Sequence, residues 1–561
     1  MKTIFTAAIA LALLQPQQLF AQTTIRANEQ KFENETMQSP YLKNRWDNKK
    51  TSAPFFEQRI VEGDSIIVSI RTMQVNVNDA ASNIVDDAAN EPSIAIDIND
   101  TLHIAIGWRQ FDNIASNFRQ AGWSYSSDGG LTWNMSIIDE GVFRSDPVLD
   151  YDLQGNFYYN SLTPYPDWEC DVYKSTNGGA TWDEGTYAYG GDKQWMAIDR
   201  TNGEGSGNIY AIWSADYSAC VPGNFTRSTD GNLSYESCEH VEAEPYYGMP
   251  AVDADGYLYV VGGGGASTLT VTRSLNAQIP GATIEWDDPV NVDLDGSLSG
   301  WQDINPEGLI GQANIDIDRS GGPGHGNIYV LAPVDPYTGP DDADISFAKS
   351  TDGGLTWSDP IWINDEKNDG NTHWFGTMSV APNGRIDVIW LDTRDGGGVD
   401  YSALYYCYSV DQGETWSANM KLSPSFDPHV GYPSQNKMGD YFDMTSDDKG
   451  AHLAWANTLN GEEDVYYSRI LLTEAAIVNI DATTVASIAI TPNPGSGIFH
   501  ISGVVDANEI TVVNLVGDII MTQAVTSSQA SIDITNFADG IYFIKIAFGD
   551  GRYYTKRFIK Q

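Results

Sequence analysis

The stretch Ser350-Thr351-Asp352-Gly353-Gly354-Leu355-Thr356-Trp357 decides how the rest of the chain is read. Altered copies stand at Ser126 to Trp133 (SSDGGLTW), Ser175 to Trp182 (STNGGATW), Ser228 to Tyr235 (STDGNLSY) and Ser409 to Trp416 (SVDQGETW). Each reads as a hairpin turn. An Asp or Asn side chain can hydrogen-bond the backbone just ahead of it, a Gly tolerates positive φ, and Thr-Trp re-enters a strand, where the Trp packs the turn onto the sheet beneath.

Around these turns the chain repeats a larger unit. An apolar strand ending in Asp comes first, then a strand rich in β-branched and aromatic residues, a third strand leading into the turn, and a fourth after it. Aligned on the terminal Asp, the first strands run from Glu91 to Asp97, Asp146 to Asp152, Lys193 to Asp199, Tyr247 to Asp253 and Gln312 to Asp318, with looser copies from Phe375 to Ala381 and Asp440 to Ser446. Four short strands recurring at this period are the mark of a β-propeller, and seven copies imply seven blades, or six if the last unit is an extension. The fourth unit keeps only Arg273-Ser274-Leu275-Asn276 and a later Trp286 of its turn, so its box reads as lost. The seventh has three strands, and the segment near Met73 to Val77 is placed to supply the fourth, because an open ring would leave strand edges unpaired.

The pattern Ser-x-Asp-x-Gly-x-Thr-Trp resembles the Asp box (BNR repeat) of sialidases and their relatives, a family usually six-bladed, in which the boxes are structural turns away from the active-site face. The resemblance implies a sialidase-like propeller over residues 59–475.

The bulk composition agrees with an all-β reading. Aromatics make up 11% of 561 residues, with 16 Trp, 29 Tyr and 53 Gly, and no long stretch has helical periodicity. Residues 1–21 read as a secretory signal peptide, with Lys2, an apolar run and Leu19-Phe20-Ala21 before Gln22; residues 22–58 read as an extended lead-in. No later segment has 18 uninterrupted apolar residues, so no transmembrane anchor is expected. The net charge of −45 argues against nucleic acid or an anionic membrane as partner, and more weakly against an anionic substrate. Residues 484–561 hold six acids against five bases, so nearly all of that charge lies upstream. Of the four cysteines, Cys220 and Cys238 lie in one unit and are the expected disulfide; Cys170 and Cys407 are either buried thiols or a second bridge.

After a linker at 476–486, residues 487–561 read as a small β-sandwich. Its Pro492-Asn493-Pro494 opening, its Gly540-Ile541-Tyr542 strand and its basic last strand, Tyr554 to Lys560, resemble the C-terminal sorting domain of the type IX secretion system of Bacteroidetes. That resemblance implies contact with the secretion machinery through 487–561 and a secreted, extracellular or cell-surface protein.

A propeller binds ligands where its first strands begin. The aligned ring there is Glu91, Asp146, Lys193, Tyr247, Gln312, Phe375 and Asp440, followed one step on by Pro92, Pro147, Gln194, Gly248, Ala313, Gly376 and Tyr441, with Asp192, Trp195, Tyr246 and Trp374 nearby. Aromatic faces pack on sugar rings and carboxylates accept their hydroxyls. The expected catalytic set is Glu91, Asp146, Asp440 and Tyr441, and the expected substrate-binding set is Lys193, Gln194, Trp195, Tyr247, Gln312 and Trp374. The alternative is that these residues cap strand ends and line a water-filled tunnel.

A sialidase uses three Arg on the substrate carboxylate, a Tyr nucleophile with its Glu, and an Asp acid/base. The family's first Arg lies in an Arg-Ile-Pro motif, and here that strand reads Asn90-Glu91-Pro92-Ser93. Four readings stay open: a sialidase-like glycoside hydrolase, a hydrolase of neutral glycans using two of the three acids, a non-catalytic glycan- or protein-binding propeller, and an acid cluster that holds a divalent cation. No cofactor is expected beyond a possible Ca2+, for which the turn Asp341-Asp342-Ala343-Asp344 is another candidate. His103 and His325 have no partner at ligand spacing and receive no role.

Overall fold

The computed structural model describes residues 51–561 except 53–54, 63–65, 165, 242–245, 264–268, 299, 301, 368, 397, 399, 475–488, 505–506, 515–518, 526 and 549–552. The expected signal peptide, most of the lead-in and the linker lie outside the described residues. Among those residues there is no helix, and every sheet is small and antiparallel.

The chain divides into two units, one reaching to Thr473 and the other comprising Gly63–Ile66 and Glu474–Gln561. The larger carries seven sheets of three to five strands, whose first strands are Ala88–Ile96, Ser145–Tyr151, Trp195–Ile198, Pro250–Val252, Asn314–Ile317, His373–Val380 and Asp443–Asp447. The last sheet runs Asp443–Asp447, Gly450–Asn457, Asp464–Glu474 and then takes Ile66–Gln74 and Phe55–Glu62 from the N-terminal side. The fourth strand expected near Met73 to Val77 is thus Ile66–Gln74, and Val75 continues the pairing by donating its amide to Val465 O at 2.9 Å.

The five turns share one set of bonds. In the turn at Ser350, Ser350 Oγ meets Asp352 Oδ1 at 2.9 Å and accepts from Gly354 N at 2.9 Å, while Thr356 N and Oγ1 donate to the two Asp352 oxygens at 2.9 and 2.6 Å. Ser126 and Asp128, Ser228 and Asp230, and Ser409 and Asp411 repeat the scheme. Asn177 replaces Asp in the remaining turn and keeps the scheme, its Oδ1 accepting from Ser175 Oγ and Thr181 N, except that its Nδ2 donates to Thr181 Oγ1. The turn aromatics, expected on the sheet beneath, also reach back to the preceding sheet. Trp182 meets Tyr159 of its own sheet and Trp123 of the preceding one, Trp416 meets Phe347, and Trp133 of the first sheet meets Tyr467 of the last at 5.2 Å. The fourth unit corrects the reading of a lost box. Ser274 and Asn276 still bond each other, Glu285 N donates to Asn276 Oδ1 at 2.9 Å across the insertion, and Trp286 packs on Phe225 of the preceding sheet.

First strands also clasp one another through short polar side chains. Ser93 Oγ accepts from Leu149 N, Asp150 from Ile198 N, Asp316 from Val380 N and Ser379 from Ser446 N, at 2.7–3.0 Å. Asp443 of the last sheet accepts from Ile94 N of the first at 3.0 Å. The terminal Asp of five first strands, including Asp97 and Asp318, turns the chain by accepting the amide two residues on.

Cys220 and Cys238 form a disulfide, and Cys170 and Cys407 are buried and not bridged to each other. In the smaller unit, Ala489–Thr491, Ile498–Ser502 and Gln529–Asp533 form one sheet, and Ile519–Ala524, Ala507–Asn514, Gly540–Phe548 and Tyr553–Lys560 form the other. Phe499, Ile501, Ile510, Val512, Ile544 and Phe558 make their common core.

Candidate functional site

The aligned ring positions share a backbone device. Glu91, Asp146, Lys193, Tyr247 and Phe375 all have φ between 47 and 56°, while Gln312 and Asp440 each follow a glycine of positive φ, Gly311 and Gly439. Register shows the cause in three sheets. Glu91 and Pro92 together face only Trp108, Asp146 and Pro147 face only Ser161, and Phe375 and Gly376 face only Trp390. In these three sheets the ring residue therefore opens a β-bulge, which re-aims its side chain and leaves the next residue unpaired, a place where Pro costs no ladder bond. A non-glycine residue in this region costs about 1 kcal/mol or more, and that cost is met in the same place in five sheets.

Four of these residues meet. Lys193 forms ion pairs with Asp440 and, at 3.7 Å, with Asp146. Lys437 lies 2.6 Å from Asp440 and 3.4 Å from Glu91, and Arg109 Nε lies 3.1 Å from Glu91. Asp440 also accepts from Leu309 N at 2.9 Å, and Ser145 Oγ donates to Asp146. Glu91, Asp146 and Asp440 are 0, 3 and 1% exposed, so the three expected carboxylates are enclosed in a cluster with three cations. Arg119 approaches through Ser145 Oγ at 3.0 Å and lies over the Phe143 ring.

Burial and the neighbouring cations together set the protonation pattern. Burial pushes Glu91 up to about 7 against the pull of Arg109 and Lys437. Burial acts on Asp146 and Asp440 in the same direction but is overcome, by Lys193 and Arg109 at Asp146, which is held at about 2, and by Lys193 and Lys437 at Asp440, which lies well below the usual range. Lys193 is held well above the usual lysine value because Asp440, Asp192 and Asp146 outweigh its own desolvation.

The other expected residues stand apart from this cluster or beneath it. Tyr441 is buried, donates its phenol to Pro147 O at 2.8 Å and packs edge-on against Trp195; burial and Glu91 push it well above the usual tyrosine value. Gln194 donates to Asp146 O. Trp374 is buried, donates to Ser402 Oγ and stacks on Phe375. Both amide atoms of Gln312 are buried with no hydrogen-bond partner. Tyr247 is half-buried beside Tyr246, on the rim.

Arg109 and Lys437 were not foreseen as members of the site, although Arg109 pairs in register with Asn90, beside Glu91. His373 was also missed. It is buried between Asp344 at 3.1 Å and Asp392 at 3.4 Å, which uses Asp344 of the acid-rich turn; Asp341 of that turn accepts from Gly370 N at 2.7 Å. Among the described residues no group of three or more His, Cys, Asp or Glu is arranged to hold a metal ion. An opening of about 400 Å³ lies along the first strands, lined by Trp195, Met196, Asp150, Asp316, Arg319 and Asp443 among others.

Solved structures similar to the chain include a protein of unknown function from Dyadobacter fermentans (14% identity, 74% of this chain and 99% of that one, TM-score 0.41). A Hadza microbial sialidase (12%, 69% and 66%, 0.37) and the endosialidase of phage phi92 (11%, 84% and 85%, 0.39) are also similar. No curated protein matches the sequence. Among the described residues no helix is long and apolar enough to cross a membrane. Residues 489–561 match the secretion system C-terminal sorting domain, so the chain carries a type IX sorting tail that engages the secretion machinery and directs it out of the cell, as a secreted or cell-surface protein.

Proposed function

We propose that the exported part is a closed, seven-bladed, sialidase-like propeller that binds an extracellular glycan or glycoprotein without hydrolysing it. The clasp from Asp443 to Ile94 and the contact of Trp133 with Tyr467 support closure between the first and last sheets. The observation that carries the binding reading is the state of the carboxylates. A glycosidase needs two carboxyl groups facing the scissile bond with room for substrate or water between them. Here Lys193 occupies the space between Asp146 and Asp440, and Glu91 is fully enclosed by Arg109 and Lys437. Tyr441 spends its phenol proton on a backbone carbonyl.

One observation favours the hydrolase reading. Glu91 at about 7 and Asp146 at about 2 are two carboxyls whose surroundings drive them apart, the pattern of an acid and its partner. The two readings separate on one experiment: the full-length protein is screened against fluorogenic glycosides, a sialoside included, with and without calcium, and in parallel for glycan binding. Binding without turnover supports our reading. Turnover that disappears in Glu91→Gln refutes it.

A further inference from the structure

We propose, resting on the binding reading above, that the cleft beside Trp168 seats one ring of a neutral sugar, with the ring on the indole and its hydroxyls reaching inward. The cleft lies just outside the ion-pair cluster and is lined by Arg109, Asn117, Asp146, Trp168, Lys193 and Gln435, among others. Its inner volume is about 30 Å³, room for a hydroxyl or hydroxymethyl group and not for a whole ring.

Three observations point to the ligand. First, four atoms of lining residues are buried with no hydrogen-bond partner: Asn117 Nδ2, Arg109 Nη2, Gln435 Oε1 and Asp146 Oδ2, the last with only the 3.7 Å ion pair to Lys193. Asn117, Arg109 and Asp146 are themselves 5, 1 and 3% exposed. These are two donors and two acceptors around one small space. A sugar hydroxyl both donates and accepts, so it satisfies such a set where a purely anionic group would meet two acceptors.

Second, Trp168 is an aromatic platform at the mouth. It is half-buried, sits 4.9 Å from the Tyr217 ring, and has φ of 61°. A tryptophan in the left-handed region is strained, and such strain concentrates at ligand sites. Third, the cations at the mouth are already paired. Arg109 is engaged by Glu91, and Lys193 and Lys437 by Asp440, while Asp146 and Asp192 line the cleft itself, so the mouth is poorly suited to an anion inside a chain of net charge −45.

The test is calorimetric titration of the full-length protein with cellotriose, triacetylchitotriose and mannotriose, with sialyllactose as the anionic comparison. At least one neutral trisaccharide binds, and sialyllactose binds no more tightly. Trp168→Ala and Asn117→Ala each weaken that binding about tenfold, the loss of one stacking face or one buried hydrogen bond. Leu233→Ala, on a turn where Leu233 is 80% exposed, leaves it unchanged. Should Trp168→Ala fail to fold, Trp168→Phe replaces it, read by the sugar-induced change in tryptophan emission, which disappears in the variant. Binding unchanged in both variants overturns the site and leaves the binding reading standing. Preference for sialyllactose overturns the neutral class, and a panel with no binding overturns both the site and the binding reading.

Discussion

Replacing Lys193 by Met tests whether the axial ion pairs hold the first strands together. Met keeps most of the aliphatic stem, so lost charge dominates over lost packing. The change strands Asp440 and Asp146, both nearly unexposed, opposite a neutral side chain. Removing one partner of a buried pair costs about 3–5 kcal/mol, and the lower end applies because Lys437 stays 2.6 Å from Asp440. Unfolding a unit of roughly 400 residues carries an entropy of about 0.8 kcal/mol/K, so a loss of about 3 kcal/mol lowers Tm by about 4 °C. Scanning calorimetry at pH 7 and low salt reads the shift directly. The double variant Lys193→Met/Asp440→Asn recovers more than half of it, because the amide removes the stranded charge. A drop of less than about 1 °C in the single variant, or a double variant no more stable than the single one, refutes the reasoning.

Glu91, Asp443 and Asp464 are each pushed up to about 7, by burial above all, so the folded state binds their protons more tightly than the unfolded state does. Their contribution is complete below the ordinary carboxylate range and is lost as pH rises through 7. Asp146, at about 2, and Asp440 have the opposite sign and lose their contribution as pH falls below about 4. Tm is therefore highest near pH 5 and lower at pH 8, and a melting curve that is flat or rises over that interval contradicts the assignment. Gly130→Ala destabilises more than Gly141→Ala, as read by chemical denaturation. Both glycines have positive φ, but a Cβ at Gly130 meets the Tyr467 ring at 2.2 Å and one at Gly141 meets nothing within 4 Å. Equal losses would show that the first and last sheets do not press together there. Reducing the Cys220–Cys238 bridge, which spans 18 residues, costs about 3 kcal/mol and is checked by comparing melts with and without reductant.

What was legible in the sequence is what repeats locally. Ser, Asp, Gly and Thr within eight residues define a turn whose hydrogen bonds close within that turn, so five copies could be read without any partner, and the insertion between Asn276 and Glu285 hid the sixth. The alignment of first strands also located the ring, because left-handed backbone at the ring residue of five sheets, or at the glycine before it in the other two, keeps the same count back from the strand's end. It could not say whether the acids on that ring are free. That depends on which cations cross the axis, and the pair Lys193 and Asp440 is 247 residues apart. Lys193 was among the aligned positions, so its chance to neutralise an acid was visible. Arg109 and Lys437 were not, since each reaches the cluster from outside a first strand, in the second strand of one sheet and in the loop before another. Equivalent backbone positions fix where side chains are aimed, and long-range packing fixes what they meet. For that reason Asp146 and Asp440, opposite Lys193, carry opposite protonation behaviour from Glu91 although all three occupy aligned ring positions.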